Sequence, residues 1–407
     1  RQRQMCIRDR YKGLLLLGGM MMLGGAAQAQ YLRSSYFMEG TSARLQLNPG
    51  LQPTKGYFNM PIIGSLNMSA SSNVLGTSDI IDLMNSGSDL YSNDKLFDRL
   101  KADNRLNVNL NTDILSFGWY RGKGFWSFNV GLRADFGAAL AKDMFSMMRT
   151  MNGFALEDVA GTNQSYSLSN QTLNMKAYAE IGLGYSRRIT EKLTVGGRVK
   201  VLLGLARAEM NINQFDLNLD VPNPQYTNYA DYESRGELSP SDWYGAHYDY
   251  SANGNVITTL KGGGMTFDNN GMIDNFDLDA GDLGIAGSGF GIDLGASYKV
   301  WDNLTVSASI LDLGFLKWKE SETTVATVSG EAHETIDASN YDRYIGGDFL
   351  SFERFDFEEG SPEKVKTKTR LYSTLLLAGE YGLLNNKLSV GAMYLSLIHI
   401  SEPTRPY

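Results

Sequence analysis

The chain has 407 residues, 43% of them hydrophobic, a formal net charge of -8 and a mean hydropathy of -0.25. Its acidity argues against nucleic acid as a partner, and beyond the N-terminal region no apolar run reaches the roughly 20 residues of a membrane helix. The 44 Gly, 22 Tyr and 18 Phe, against 9 Pro and 3 His, suit strands that are apolar on one face only.

The first ten residues, RQRQMCIRDR, are basic and hold the only cysteine, Cys6. Together with residues 395–407, LSLIHISEPTRPY, they resemble translated sequencing-adapter read-through, and both ends are set aside as artefacts. The rest has no cysteine, as expected of an envelope protein without a disulfide framework. Residues 11–29 read as a signal peptide: Lys12 precedes the apolar stretch Leu14 to Ala27, and Ala27-Gln28-Ala29 places cleavage after Ala29. The expected location is the outer membrane of a Gram-negative bacterium, and the first mature segment, 30–55, precedes the strands as a periplasmic plug.

Residues 56–394 carry a recurring period-2 pattern. Leu106, Val108, Leu110 and Ile114 alternate with Asn107, Asn109, Asn111 and Asp113. Trp126 to Phe136 repeats the pattern over Arg133 and Asp135, as does Leu173 to Tyr185 over Lys176 and Glu180. Leu193 to Leu205 sets valines and leucines against Arg198 and Lys200, and Phe290 to Tyr298 opposes Asp293. Alternation of this kind gives one apolar and one polar face, and its length fits the ~9–11 residues of a bilayer-crossing strand. Short turns at 121–124, 188–192, 301–303 and 384–387 alternate with long insertions at 73–104, 139–171, 209–288 and 317–367. Short turns on one rim and long loops on the other mark a bacterial outer-membrane barrel. Nine strands are counted, the first at 56–72 and the last from Leu388. Trp119, Tyr120, Phe125, Trp126, Tyr185, Tyr298, Trp301 and Trp318 fall near strand ends, where interfacial girdles lie.

Within the loops, Ser78-Asp79 and Asn93-Asp94 can cap short helices. Met144, Met147, Met148 and Met151 form one stripe of a helix from Lys142. Two readings of the stripe stay open: a surface for varied lipophilic ligands, and packing that plugs the barrel. Asp268, Asp274, Asp277, Asp279 and Asp282 enrich one loop in oxygen ligands, but an EF-hand register puts Thr266 where its first aspartate belongs. Solvated acidic loop is the first reading there and a surface calcium site the second. No catalytic arrangement of Ser, His and Asp, phosphate-cradling loop or HExxH helix occurs, so neither an enzyme nor a cofactor is expected.

Thr41-Ser42-Ala43 leading into Leu47-Asn48-Pro49-Gly50 resembles the Asn-Pro-containing N-terminal segment of FadL-like barrels. GGRVKVLLG (196–204) and the stretch 289–318 resemble an uncharacterised family of Bacteroidota outer-membrane proteins in the FadL-like and PorV-like group. The resemblance implies an all-β transmembrane antiparallel barrel of about 12–14 strands when complete, with an N-terminal plug and short helices in its extracellular loops. It marks Asn48 and Pro49 as the plug turn, although Gly50 stands where relatives have alanine. Passage of a small hydrophobic solute is the function it implies first. The alternative is a non-transporting scaffold for exported proteins or lipoproteins in type IX secretion, suited to the loop with Tyr226, Tyr229, Tyr232, Trp243 and Tyr244. The partners expected are outer-membrane lipids, the barrel-assembly machinery, and hydrophobic small molecules or secreted proteins.

Overall fold

The computed structural model describes residues 35–59, 66–76, 79, 94–151, 161–221, 245–269, 271, 273–279, 281–337, 339, 358–384 and 388–398. The signal peptide, the helix expected after Ser78 and the loop aromatics Tyr226 to Tyr244 lie outside the described residues.

Among the described residues sixteen strands join one antiparallel sheet. In chain order they are β1 (Tyr57–Asn59), β2 (Leu66–Ser72), β3 (Asp103–Arg121), β4 (Gly124–Ala141), β5 (Thr162–Arg188), β6 (Leu193–Val221), β7 (His247–Leu260) and β8 (Gly263–Phe267). There follow β9 (Ile273–Leu278), β10 (Gly287–Trp301), β11 (Leu304–Trp318), β12 (Thr323–Thr335), β13 (Glu358–Glu359), β14 (Lys368–Arg370), β15 (Ser373–Leu383) and β16 (Leu388–Ile398). The helices are α1 (Arg44–Leu47), α2 (Asp94–Arg99) and α3 (Lys142–Met151). The wall runs β1-β3-β4-β5-β6-β10-β11-β15-β16, with β2 beside β1 on β3, and so holds the nine positions the alternation predicts. Among the described residues β16 pairs with β15 alone and β1 with β3 alone. The last strand extends past Tyr394 to Ile398. The β3–β4 turn is a two-residue hairpin in which Gly122 takes a φ of 62°, a left-handed conformation that costs glycine little.

The sidedness of this wall is inverted relative to a soluble sheet. Val201 is 51% exposed and Leu294 50%, and Leu132, Ile181, Leu183, Val199, Phe290 and Leu377 also point outward. The opposite face buries Asp135, Lys176, Glu180, Arg198, Lys200 and Asp293. Such an arrangement costs free energy in water and gains it in hydrocarbon. Bulges correct the phase where the sequence loses it. In β3 the register shifts between Asp113 and Leu115, so Leu106, Val108 and Leu110 share a face with Leu115, Phe117 and Trp119. Outward aromatics gather at the short-turn rim, where Phe117 packs on Trp119 and Phe128, and Trp126 on Tyr185. Three of the expected girdle residues do not join them: Tyr120 shares the inward face with its partner Phe125 and donates to Pro53 O, and Phe125 and Trp318 are both 1% exposed, because strand parity, reset in β11 by the irregularity at Asp312, sets side-chain direction.

The long loops also differ from expectation. β5 and β6 run 27 and 29 residues, well beyond a bilayer, and their far ends carry β7 and then β12. Segments read as loops at 209–288 and 317–367 therefore include sheet. A period-2 signal searched for at bilayer length misses strands that continue past it. In this far region apolar side chains turn in: Leu168, Phe215, Leu217, Leu219, Val221 and Ile336 form one core.

Candidate functional site

Two constructions fill the inside of the wall at the height where the outer face is apolar. The first is a cluster of six charged side chains from four neighbouring strands and β11: Arg133 (β4), Glu180 (β5), Arg198 and Lys200 (β6), Asp293 (β10) and Asp312 (β11). Arg133 Nε lies 2.7 Å from Glu180, and Arg198 Nη2 lies 2.6 Å from Asp293. Lys200 Nζ is central, 2.7 Å from Asp293, 2.5 Å from Asp312 and 3.7 Å from Glu180. Asn129 donates to the second oxygen of Glu180 at 3.0 Å. Lys200 is 1% exposed and Asp293 0%, so these charges are removed from water and depend on one another. Three cations face three anions, which leaves no field to select ions of one sign. Above them, Lys176 donates to Arg370 O at 3.0 Å and sits 3.7 Å from Asp135.

Glycine makes the cluster possible. Across the strands Glu180 stands opposite Gly131, Arg198 opposite Gly184, and Lys200 between Gly182 and Gly291. A Cβ on Gly182 would meet Asn129 Oδ1 at 2.3 Å, so the space beside each long charged chain is already taken by its partners. Asp312 adds a second device: it lies at the β10–β11 irregularity with a φ of 59°, and its N–H donates to Asp293 Oδ1 at 2.8 Å. That uncommon left-handed conformation aims its carboxylate at Lys200. Period-2 reading could not place Asp312, since the irregularity changes the face.

The second construction is the N-terminal segment. Tyr36, Leu51, Leu376 and Ala378 pack together, which holds residues 35–56 against the inner face of β15. The Tyr36 hydroxyl bonds Ser307 Oγ at 2.7 Å, and Ser309 Oγ donates to Leu47 O at 2.6 Å. The turn Asn48-Pro49-Gly50 then meets the wall through backbone. Asn48 Nδ2 donates to Ala296 O at 3.3 Å and Ala308 O at 3.2 Å, while its Oδ1 accepts from Gly50 N at 2.8 Å. A Cβ on Gly196 would fall 2.1 Å from Pro49 O, and one on Gly295 2.0 Å from Asn48 Oδ1. Gly50 itself has backbone of Gly295 and Ala296 at 2.9 Å from the site of a Cβ. Glycine at this position, where the resembling family has alanine, follows from that close approach.

Behind the same patch, on the outer face, lies an apolar groove of about 660 Å³ bordered by Tyr185, Leu294, Ala308, Ile310 and Leu375, with Arg187 at its short-turn end. The wall between plug turn and groove is thus backbone with few side chains.

The methionine stripe lies at the far end. Met147 belongs to the far core, Met144 packs against it, and Met148 is exposed. Met151 ends α3, its side chain outside the described part. The helix is tied to α2 by Lys142 and Arg149 over the Phe97 ring and by an Arg149–Asp94 ion pair. Asp274, Asp277, Asp279 and Asp282 are exposed, with Asp282 paired to Lys261 at 3.1 Å. Among the described residues no three acidic, histidine or cysteine side chains converge as metal ligands, and Asp268 has a partner of its own.

An antiparallel wall that is greasy outside, charged inside and occupied by its own N-terminal segment is that of a transmembrane β-barrel. Among the described residues no helix is long and apolar enough to cross a membrane. The chain belongs to the family of unknown function DUF5723, whose profile matches residues 49–403. No curated protein matches it. Among solved structures it is similar to the Pseudomonas putida toluene transporter TodX, at 8% identity and a TM-score of 0.19, over 72% of this chain and 68% of that one. A second similarity is to the copper transporter OprC, at 11% identity and a TM-score of 0.12, over 69% of this chain and 48% of that one. At these TM-scores neither likeness bears on the site.

Proposed function

We propose that this is an outer-membrane barrel that passes a small hydrophobic solute by a route closed to bulk water. One observation carries the reading: the Asn48-Pro49-Gly50 turn and the outer apolar groove meet back to back across a patch of glycine and alanine backbone. The paired charge cluster blocks a straight aqueous conduit, as a buried, neutral network does. A solute entering from the far side would leave beside the plug turn, toward lipid. Displacing the turn would break few interactions, because Asn48 makes the side-chain hydrogen bonds that join it to the wall.

The test is entry of a lipophilic fluorescent probe into cells with and without the gene. The native chain is expected to speed entry, and Asn48→Ala to alter that rate while the barrel remains folded. Equal rates in all three strains would remove the proposal.

A second reading, a scaffold for exported proteins, is favoured by the far sheet. Its β8–β9 hairpin and the chain after it leave Ile273, Phe276, Leu278, Leu283 and Ile285 each exposed. Exposed apolar residues that gather into a patch mark interaction surfaces. A secretion defect on deletion, with probe entry unchanged, would transfer the assignment to this reading.

A further inference from the structure

The outer groove has a chemical asymmetry that a purely apolar solute does not satisfy. Its floor is built from small residues: Gly197, Ala296 and Ala308 line it where most of the outer wall carries Leu, Val or Phe. It is an open depression of about 660 Å³ on the outer wall. At the short-turn rim the lining ends in a full positive charge, Arg187, on the outward face of β5 two residues beyond Tyr185. Arg187 forms no ion pair among the described residues. Arg188 and Lys192 occupy the hairpin that follows, with Glu191 the one acidic residue there, so this rim is net positive.

We infer that the groove binds an anionic phospholipid of the periplasmic leaflet, its phosphate on Arg187 and an acyl chain along the floor toward Ile310 and Leu375. Three arguments fix the occupant. The groove opens on the lipid side of the wall, so what fills it arrives from the bilayer. An outward arginine at the interface holds its aliphatic stem in apolar surroundings and its guanidinium at headgroup height, where a phosphate accepts two parallel hydrogen bonds. Short turns face the periplasm in barrels of this kind, which selects the leaflet. The inference rests on the wall crossing a membrane, not on transport. Where transport operates, the lipid is the resting occupant of the outlet.

The experiment is native mass spectrometry of the full chain in neutral detergent, titrated with phosphatidylglycerol or phosphatidylcholine. The native chain is expected to retain one phosphatidylglycerol in preference to phosphatidylcholine. Arg187→Gln is expected to weaken that retention about fivefold, the worth of one cation beside an anionic lipid. Ala308→Phe, which fills the floor and leaves the charge, should lower retention of both lipids. Arg121→Gln, on the same face two strands across from Arg187 but outside the groove lining, should weaken retention less than Arg187→Gln. Equal retention of the two lipids by the native chain overturns the inference. So does an Arg121→Gln effect as large as that of Arg187→Gln, which would assign the preference to the whole rim. Neither result depends on whether a solute crosses the membrane, so failure here and failure of the transport reading are separable.

Discussion

Strand β6 passes through two regions that place side chains by opposite rules. Near the short turns it exposes Val195, Val199 and Val201 and buries Arg198 and Lys200; toward its far end it buries Phe215, Leu217, Leu219 and Val221. Strand β5 makes the same change, from buried Lys176 and Glu180 to buried Leu168. The two strands stay paired through both regions, with a bulge between them. Neither strand propensity nor hydrogen bonding therefore decides which face is apolar. The surroundings do: hydrocarbon outside the lower wall, water outside the far sheet. Between the regions the register shifts at Ala177/Tyr178, where Leu205 is skipped, and the inward parity of β6 changes from Lys200 to Arg207.

The most damaging way to break this division is to unpair a charge in the lower wall. Asp293→Ala leaves Arg198 and Lys200 short of their shared anion and should cost about 3–5 kcal/mol. Urea unfolding of the protein in vesicles, followed by tryptophan fluorescence, would measure it. A loss below 1 kcal/mol, a bound set by ordinary surface pairs, would mean that water reaches the cluster.

Truncation and charge insertion then separate the two regions. Leu219→Ala should cost about 2–5 kcal/mol by leaving a cavity in the far core. Val201→Ala should cost little, since lipid fills the space. Arginine reverses the ranking: Val201→Arg should cost about 2–4 kcal/mol near the bilayer midplane, while Asn218→Arg stays within about 0.5 kcal/mol. The same unfolding assay compares all four, and equal costs for the two arginines would erase the boundary.

At the plug the effect is smaller and local. Gly196→Val puts side-chain atoms where Pro49 O now lies and should cost about 1–3 kcal/mol in plug docking. Limited proteolysis within 35–56 should quicken while the wall resists.

The smallest effect belongs to the far sheet. His333 Nδ1 lies 2.8 Å from Asp249 on the paired strands β12 and β7. Its hydrogen bond to Asp249, with the attraction of that charge, raises the imidazole above its ordinary 6.5 and lowers the carboxyl below its ordinary 3.8. The histidine contribution to stability is complete below pH 6.5 and fades as pH rises through the raised value. The aspartate contribution is present above 3.8 and fades as pH falls through the lowered one. Proton NMR titration of His333 should show its raised value returning to normal in Asp249→Asn.

The alternation of valines with Arg198 and Lys200, and the spacing of short turns, were enough to give an antiparallel wall of nine positions with a charged inner face, because side-chain period and turn chemistry are local. Asn48-Pro49 was marked by resemblance, but its seat against Gly196 and Gly295 depends on residues about 150 and 250 positions away in sequence, and so did the meeting of Asp312 with Lys200. The inward turn of Trp318 depends on the irregularity at Asp312, which exchanges the two faces of β11, whereas that of Phe125 was readable from parity once the strands were fixed. The far sheet was not, since its strands change inward face at a bulge and continue past the length a bilayer requires. Local pattern thus determined which residues can share a face. Only the assembled sheet decided what each face meets, because that depends on which distant strands lie alongside and on whether lipid, water or the chain's own N-terminal turn fills the space beyond.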